Sequence, residues 1–154
     1  MSFRISGLPA EPFADLFSLS DAELKTRGAV RRVADAPNAF PCRISLTDAA
    51  PGETVLLTHF EHHPVDSPFR SSYAIYVREV ERCFEAVDQV PDQLRRRLLA
   101  VRAFDEAGML INSEVVEGRE VERVIDQLFA DDHARYLHVH FARAGCYAAK
   151  IERA

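Results

Sequence analysis

The sequence predicts an α+β fold, a single domain in which a mostly antiparallel sheet carries a few packed helices. Two observations point there. Runs rich in β-branched and aromatic residues are joined by short turns, as hairpins require. The regular strand–helix alternation of a parallel sheet is missing, since helical patterning is strong in one segment only. The 154 residues contain no repeat, low-complexity tract or linker, and the eight prolines are scattered. One domain spanning residues 1–154 follows.

The elements follow in order. Phe3 to Leu8 reads as a short strand. Ser20-Asp21-Ala22-Glu23 is a capping box, and Gly28 ends its helix after the basic Lys25 and Arg27. Phe40 to Thr47 alternates, with Cys42, Ile44 and Leu46 on one side and Arg43, Ser45 and Thr47 on the other, which predicts a strand. Pro51-Gly52 is a turn, and Thr54 to Phe60 and Tyr73 to Arg78 read as buried central strands. Pro91 starts a short helix through Leu98. Ala100 to Phe104 and Met109 to Val116 flank the turn Asp105-Glu106-Ala107-Gly108. Gly118 to Ala130 carries Val121, Val124, Ile125, Leu128 and Phe129 at helical spacing, and acids at 120, 122 and 126 off the stripe, so it is a core-facing helix. Arg135 to Phe141 and Cys146 to Glu152 form a terminal hairpin.

Composition excludes several classes. Hydrophobic residues are 47% and charged residues 28%, which is globular rather than disordered. A net charge of −5 argues against nucleic acid, which selects a basic face. No apolar run approaches the roughly 20 residues that span a bilayer, and the N-terminus lacks a signal-peptide pattern. Three well-separated cysteines are no disulfide framework. They point to free thiols in a reducing, cytoplasmic setting. Nothing here opposes a homo-oligomer.

Several segments are more particular than a generic domain needs: Phe3-Arg4-Ile5-Ser6-Gly7-Leu8-Pro9, Leu19 to Leu24, Phe40 to Ala49, Ala74 to Glu79, Arg102 to Asp105, and Gly145 to Ala149. Together they resemble a bacterial family known as domain of unknown function 1203, and the resemblance runs the length of the chain. It implies a stand-alone bacterial domain of this size. It implies no activity, substrate, cofactor or catalytic residue, so candidate site residues come from the chain itself.

Histidine placement supplies them. Five of the six histidines fall in two clusters: His59, His62 and His63, then His138 and His140 with Cys146 close behind. Histidine titrates near neutrality and is the commonest metal ligand, so two distant clusters can converge on one site. In the terminal hairpin, Leu137, Val139 and Phe141 point one way, and His138 and His140 the other. Matching these apolar residues to Tyr147 and Ala149 calls for a turn such as Ala142-Arg143-Ala144, with Gly145 at a bulge. That register sets His140 across from Cys146 and His138 across from Ala148. His138, His140 and Cys146 would then be a ligand set that zinc accepts, with a place left for water or a fourth ligand. Two other readings stay open: a half-exposed polar sheet face, and a metal-free His140–Cys146 pair in which the imidazole activates the thiol.

His59 continues the face of Val55 and Leu57 and reads as partly buried. His62 and His63 fall past the strand end, in a loop stiffened by Pro64 and Pro68. With Asp66, Ser67, Arg70, Ser71 and Ser72, this loop offers groups that could hold a small polar or anionic molecule; His62, His63, Arg70 and Ser71 are its candidate ligand-binding residues. Cys42 reads as a small core residue. Arg43 and Arg102 interrupt apolar strands; internal pairing with Asp48, Glu79 or Glu114 is expected, and gripping a substrate oxyanion is the alternative. No glycine-rich phosphate loop, nucleophile elbow, Cys-x-x-Cys or His-Glu-x-x-His is present. Two function classes result: a small-molecule-binding domain or small enzyme with a histidine-rich polar site, or a non-catalytic interaction or regulatory module with incidental histidines.

Overall fold

Short local signals build the N-terminal part. A computed structural model describes residues 1–80 and 82–154 of the chain. Strand β1 is Phe3–Ser6, shorter than the apolar pattern suggests. Helix α1, Glu11–Ala14, runs into a 3₁₀ turn at Asp15–Ser18, burying Phe13 and Leu16. In α2, Asp21–Thr26, the Ser20 hydroxyl accepts from the Glu23 amide while the Glu23 carboxylate accepts from the Ser20 amide. Two of the backbone donors at the helix start are thereby satisfied. The chain turns at Gly28 (φ +69) into β2, Ala29–Val33.

The segment from Phe40 to Thr47 is not a strand. Only Pro41–Asp48 and Cys42–Tyr76 make isolated bridges, and residues 43–45 form a turn closed by the Cys42 amide donating to the Thr47 carbonyl (2.9 Å). Leu46 takes φ +51, a left-handed conformation that costs about 1–2 kcal/mol outside glycine. The cost is offset because Cys42, Ile44 and Leu46 are all buried. The alternation reports burial correctly, but the backbone delivers it as a folded loop.

Beyond it, β3 (Thr54–His63) and β4 (Ser71–Arg78) form a hairpin, and β2 completes a three-stranded sheet in the order β2-β3-β4. β4 is an edge strand, with Tyr73 half exposed. Then come β5 (Glu85–Val87), α3 (Asp92–Arg95, started by Pro91), β6 (Leu98–Phe104), β7 (Leu110–Glu117), α4 (Val121–Phe129), β8 (Tyr136–Phe141) and β9 (Tyr147–Arg153). The second sheet runs β5-β1-β9-β8-β6-β7. Every strand pair in both sheets is antiparallel. The fold is α+β. No helix among the described residues is long and apolar enough to cross a membrane.

The six-stranded sheet has two different faces. Leu99, Val101, Ala103, Leu137, Val139, Ala149 and Ile151 line one and are covered by α4 through Val121, Val124, Ile125, Leu128 and Phe129. All five helix residues are buried, as the stripe predicts. A 3₁₀ turn at Gly118–Glu120 leads into the helix. On the other face Tyr147 joins Leu56, Ile75 and Val77 of the smaller sheet, with Phe13, Leu16 and Leu24. Cys42, Cys83 and Cys146 are all free.

Candidate functional site

The layer between the two sheets is where the histidines meet. Strand alternation places Ala100, Arg102 and Phe104 of β6 opposite the helix-covered side. The register pairs them with His140, His138 and Tyr136 of β8. From the smaller sheet comes the end of β3. There Glu61 pairs with Ser72 and His63 with Ser71, so His62 is an inserted, bulged residue. A bulge interrupts the two-residue alternation, which lets adjacent side chains approach one surface. His62 and His63 both do so: the His62 ring lies 5.3 Å from His140 and 6.3 Å from His138, and the His63 ring 5.0 Å from His138. The two histidine clusters therefore converge, although His62 and His63 belong to β3 and not to the following loop.

The terminal hairpin has a different register from the expected one. Leu137 pairs with Ile151, His138 with Lys150 and Val139 with Ala149. The register then shifts, and His140 pairs with Tyr147. The extra residue is Ala148 rather than Gly145. This bulge turns Tyr147 onto the histidine side, where its ring stacks on His62 (5.1 Å, 10° between planes) and lies 5.0 Å from His138. Cys146 packs against the helix-covered core. The structure thus unites His138 and His140 with His62, and leaves Cys146 apart from them.

Each imidazole has a distinct role. His63 is 2% exposed and fully engaged. Its Nδ1 lies 2.9 Å from the Phe69 carbonyl, which can only accept, so Nδ1 carries the proton and Nε2 accepts from the Tyr136 hydroxyl at 2.6 Å. That histidine ties the two sheets together. In His140, Nδ1 donates to the Gly145 carbonyl at 2.9 Å, leaving the Nε2 lone pair free. In His62 and His138, Nδ1 is buried and has no hydrogen-bond partner among the described residues. Such atoms are rare in folded proteins and call for an explanation.

His62, His138 and His140 each offer a ring nitrogen, all within 4.8 Å of one another. Tetrahedral zinc, with Zn–N bonds of about 2.0–2.1 Å, sets ligand nitrogens about 3.4 Å apart. A bound ion would require side-chain rotations that bring the nitrogens closer. Burial is the main force lowering their basicity. It holds His62 at about 4, helped by the charges of His63 and Arg102. His140 is also held at about 4, its bond to Gly145 acting in the opposite sense. His138, the most enclosed, is pushed lower still by burial and by His63, His140, His62 and Lys150. At neutral pH all three are uncharged, the form that ligates metal.

The other candidates are placed as follows. Arg70 pairs with Glu61 (2.8 Å), and the Ser71 hydroxyl donates to the Phe69 carbonyl (2.6 Å). The Ser67 hydroxyl donates to the Gly108 carbonyl (2.9 Å). Arg70 and Ser71 thus brace the β3–β4 turn internally, and Ser67 ties it to the β6–β7 turn. His59 is exposed rather than partly buried: it lies one residue past the last β2 pairing, Ala29 with Thr58, where its amide donates to the Gly28 carbonyl (3.0 Å). Asp48 pairs with Arg96 and Arg97. Arg43 and Arg102 thus have no carboxylate partner among the described residues, contrary to the expected internal pairing. Arg102 stands on the histidine face and is partly desolvated. Tyr136 and Tyr147, which buttress the histidines, were not among the sequence candidates. The bulge that brings in Tyr147 leaves no mark in residue alternation.

No curated protein and no solved structure matches the chain. A family model does, over residues 39–153, which include β3, β6, β8 and β9 and therefore every residue of the histidine cluster. The chain belongs to the family described as protein of unknown function (DUF1203).

Proposed function

We propose that this protein is a small metal-binding domain in which His62, His138 and His140 hold a zinc-type divalent ion. A position remains open for water or for a small polar or anionic molecule. One observation carries the reading: three uncharged imidazoles from two sheets converge, and two of them have buried nitrogens without a partner. A buried polar atom left unsatisfied costs about 1–3 kcal/mol, and ligation would remove that cost twice. The chemistry also fits, since three histidines and a free site are a common arrangement for catalytic zinc. Such an ion would supply Lewis acidity and an acidified water. Arg102, on the same face and without a carboxylate partner among the described residues, would attract an anionic group toward the open position. His63, Tyr136 and Tyr147 would fix the ligand rings.

This makes the protein a binding domain or small hydrolytic enzyme rather than an interaction module with incidental histidines. The three free thiols suit a bacterial cytoplasm, where they stay reduced. The test is metal binding by calorimetry and thermal melting. Zinc should bind about one per chain and raise the melting temperature of the wild type and of Cys146→Ser. It should leave His140→Ala and His62→Ala unmoved. An unchanged wild-type curve would reject the metal reading and leave the histidines as packing.

A further inference from the structure

A second feature lies on the other side of the terminal hairpin. The loop containing Arg43, the start of β6 and the β8–β9 turn enclose a cavity of about 360 Å³. Its walls include Arg43, Arg97, Arg143, Tyr76, Phe141 and Cys146. In a chain of net charge −5, this is an unusual concentration of guanidinium groups. Arg96 also reaches it, and Glu117 is the one acid on its wall.

The charges are not balanced from within. Asp48 answers Arg96 (3.0 Å) and Arg97 (2.8 Å). Arg43 is 1% exposed, yet it has no carboxylate partner among the described residues: Nε donates to the Tyr147 carbonyl at 2.8 Å and Nη1 to the Pro41 carbonyl at 2.5 Å, with the Cys146 thiol beside it. Burying a guanidinium without a counter-charge is costly. Two guanidiniums also share one ring, with Arg43 at 4.9 Å and Arg97 at 5.0 Å from the Phe141 centroid. Burial weakens the hold of Arg43 on its proton and the charge of Arg97 acts in the same direction, while the neighbouring Cys146 and Cys42 act in the opposite one. Arg143, in the exposed turn, adds charge at the rim.

We propose that this cavity binds a small organic oxyanion, a carboxylate or phosphate ester with an apolar body. The oxyanion takes the field of Arg43, Arg97 and Arg143, while the apolar part packs on Phe141 and Tyr76. The fork of an arginine matches both oxyanions in geometry and charge. The volume falls within the roughly 300–1,000 Å³ range of small-molecule sites. Bound there, the anion neutralises a charge that the fold otherwise buries alone. This site requires no metal and shares no residue with the histidine cluster, so it stands or falls independently of the metal reading.

Cys146 on the cavity wall provides the readout. Iodoacetamide alkylation of Cys146 in the folded protein, followed by mass spectrometry of its peptide, should slow at least fivefold with benzoate or phenyl phosphate. The neutral isostere benzamide should not slow it. The two anions separate carboxylate from phosphate recognition, and protection by either supports the site. Arg43 variants risk misfolding, so Arg143→Glu, in an exposed turn, is the decisive substitution: protection should fall at least tenfold in apparent affinity. Equal protection by benzamide, protection by neither anion, or full protection in Arg143→Glu would overturn the proposal.

Discussion

Acidifying the metal-free protein should destabilise it in a defined window, through the three converging imidazoles. In the unfolded chain a histidine takes up its proton near pH 6.5. In the folded chain His62 and His140 are held at about 4, and His138 is pushed down further by burial. Between about pH 6.5 and 4 the unfolded state therefore binds more protons than the native state. Stability must then fall as pH falls, and it is fully present only above 6.5. At pH 5 the loss is 1.36 kcal/mol per pH unit over 1.5 units, about 2 kcal/mol for each fully buried ring. His138 and His140 are 4% and 3% exposed and approach that figure. His62 meets solvent and contributes less. The charged groups facing the cluster, Arg102 and Lys150, resist protonation of its rings and so act in the same direction. The carboxyls held below their usual range, such as Glu53 and Glu122, respond mainly below pH 5. Urea denaturation with chelator at pH 7.0 and 5.0 should show a loss of about 4 kcal/mol in the wild type. His140→Leu should lose about 2 kcal/mol less over the same interval. Equal pH losses in both would refute the claim that these rings are buried and uncharged.

Three further outcomes follow from packing and chemistry. Leu128, 1% exposed in the centre of the α4 stripe, should cost about 2–5 kcal/mol when replaced by alanine, measured by the same denaturation. Gly118→Ala should destabilise by about 3 kcal/mol or more, because its Cβ would lie 1.9 Å from the Leu94 carbonyl oxygen and against the backbone of Leu94 and Arg95, which cannot swing aside as a side chain does; near-wild-type stability would disprove the contact between α3 and the entry to α4. Thiol titration of unreduced, denatured protein should find all three cysteines, and a count of one would contradict the free thiols described above.

Local rules made much of this fold legible. The α4 stripe, the Ser20–Glu23 box and the Asp105–Gly108 turn each depend on neighbouring residues only, and each appears as the sequence predicts. The loop at residues 41–48 was illegible as a loop. Burial of Cys42, Ile44 and Leu46 writes the same alternation that a strand would, and the left-handed Leu46 that folds the chain back is held by tertiary contacts. The site was half legible for a related reason. His138 and His140 share a face by strand pleat alone, whereas His62 joins them through a bulge in β3, and a bulge beside His140 substitutes Tyr147 for the expected Cys146. One inserted residue reassigns every side chain beyond it, and the hydrophobic pattern that sets register does not record the insertion.

The proposed metal centre consists of three histidine nitrogens, His62, His138 and His140. X-ray absorption spectroscopy of the zinc-loaded protein tests it at the ligands. Three imidazole nitrogens are expected at about 2.0–2.1 Å, with the remaining position filled by a light oxygen donor. A sulfur scatterer at about 2.3 Å, which would bring Cys146 into the shell, or a spectrum matching hydrated zinc alone would contradict it.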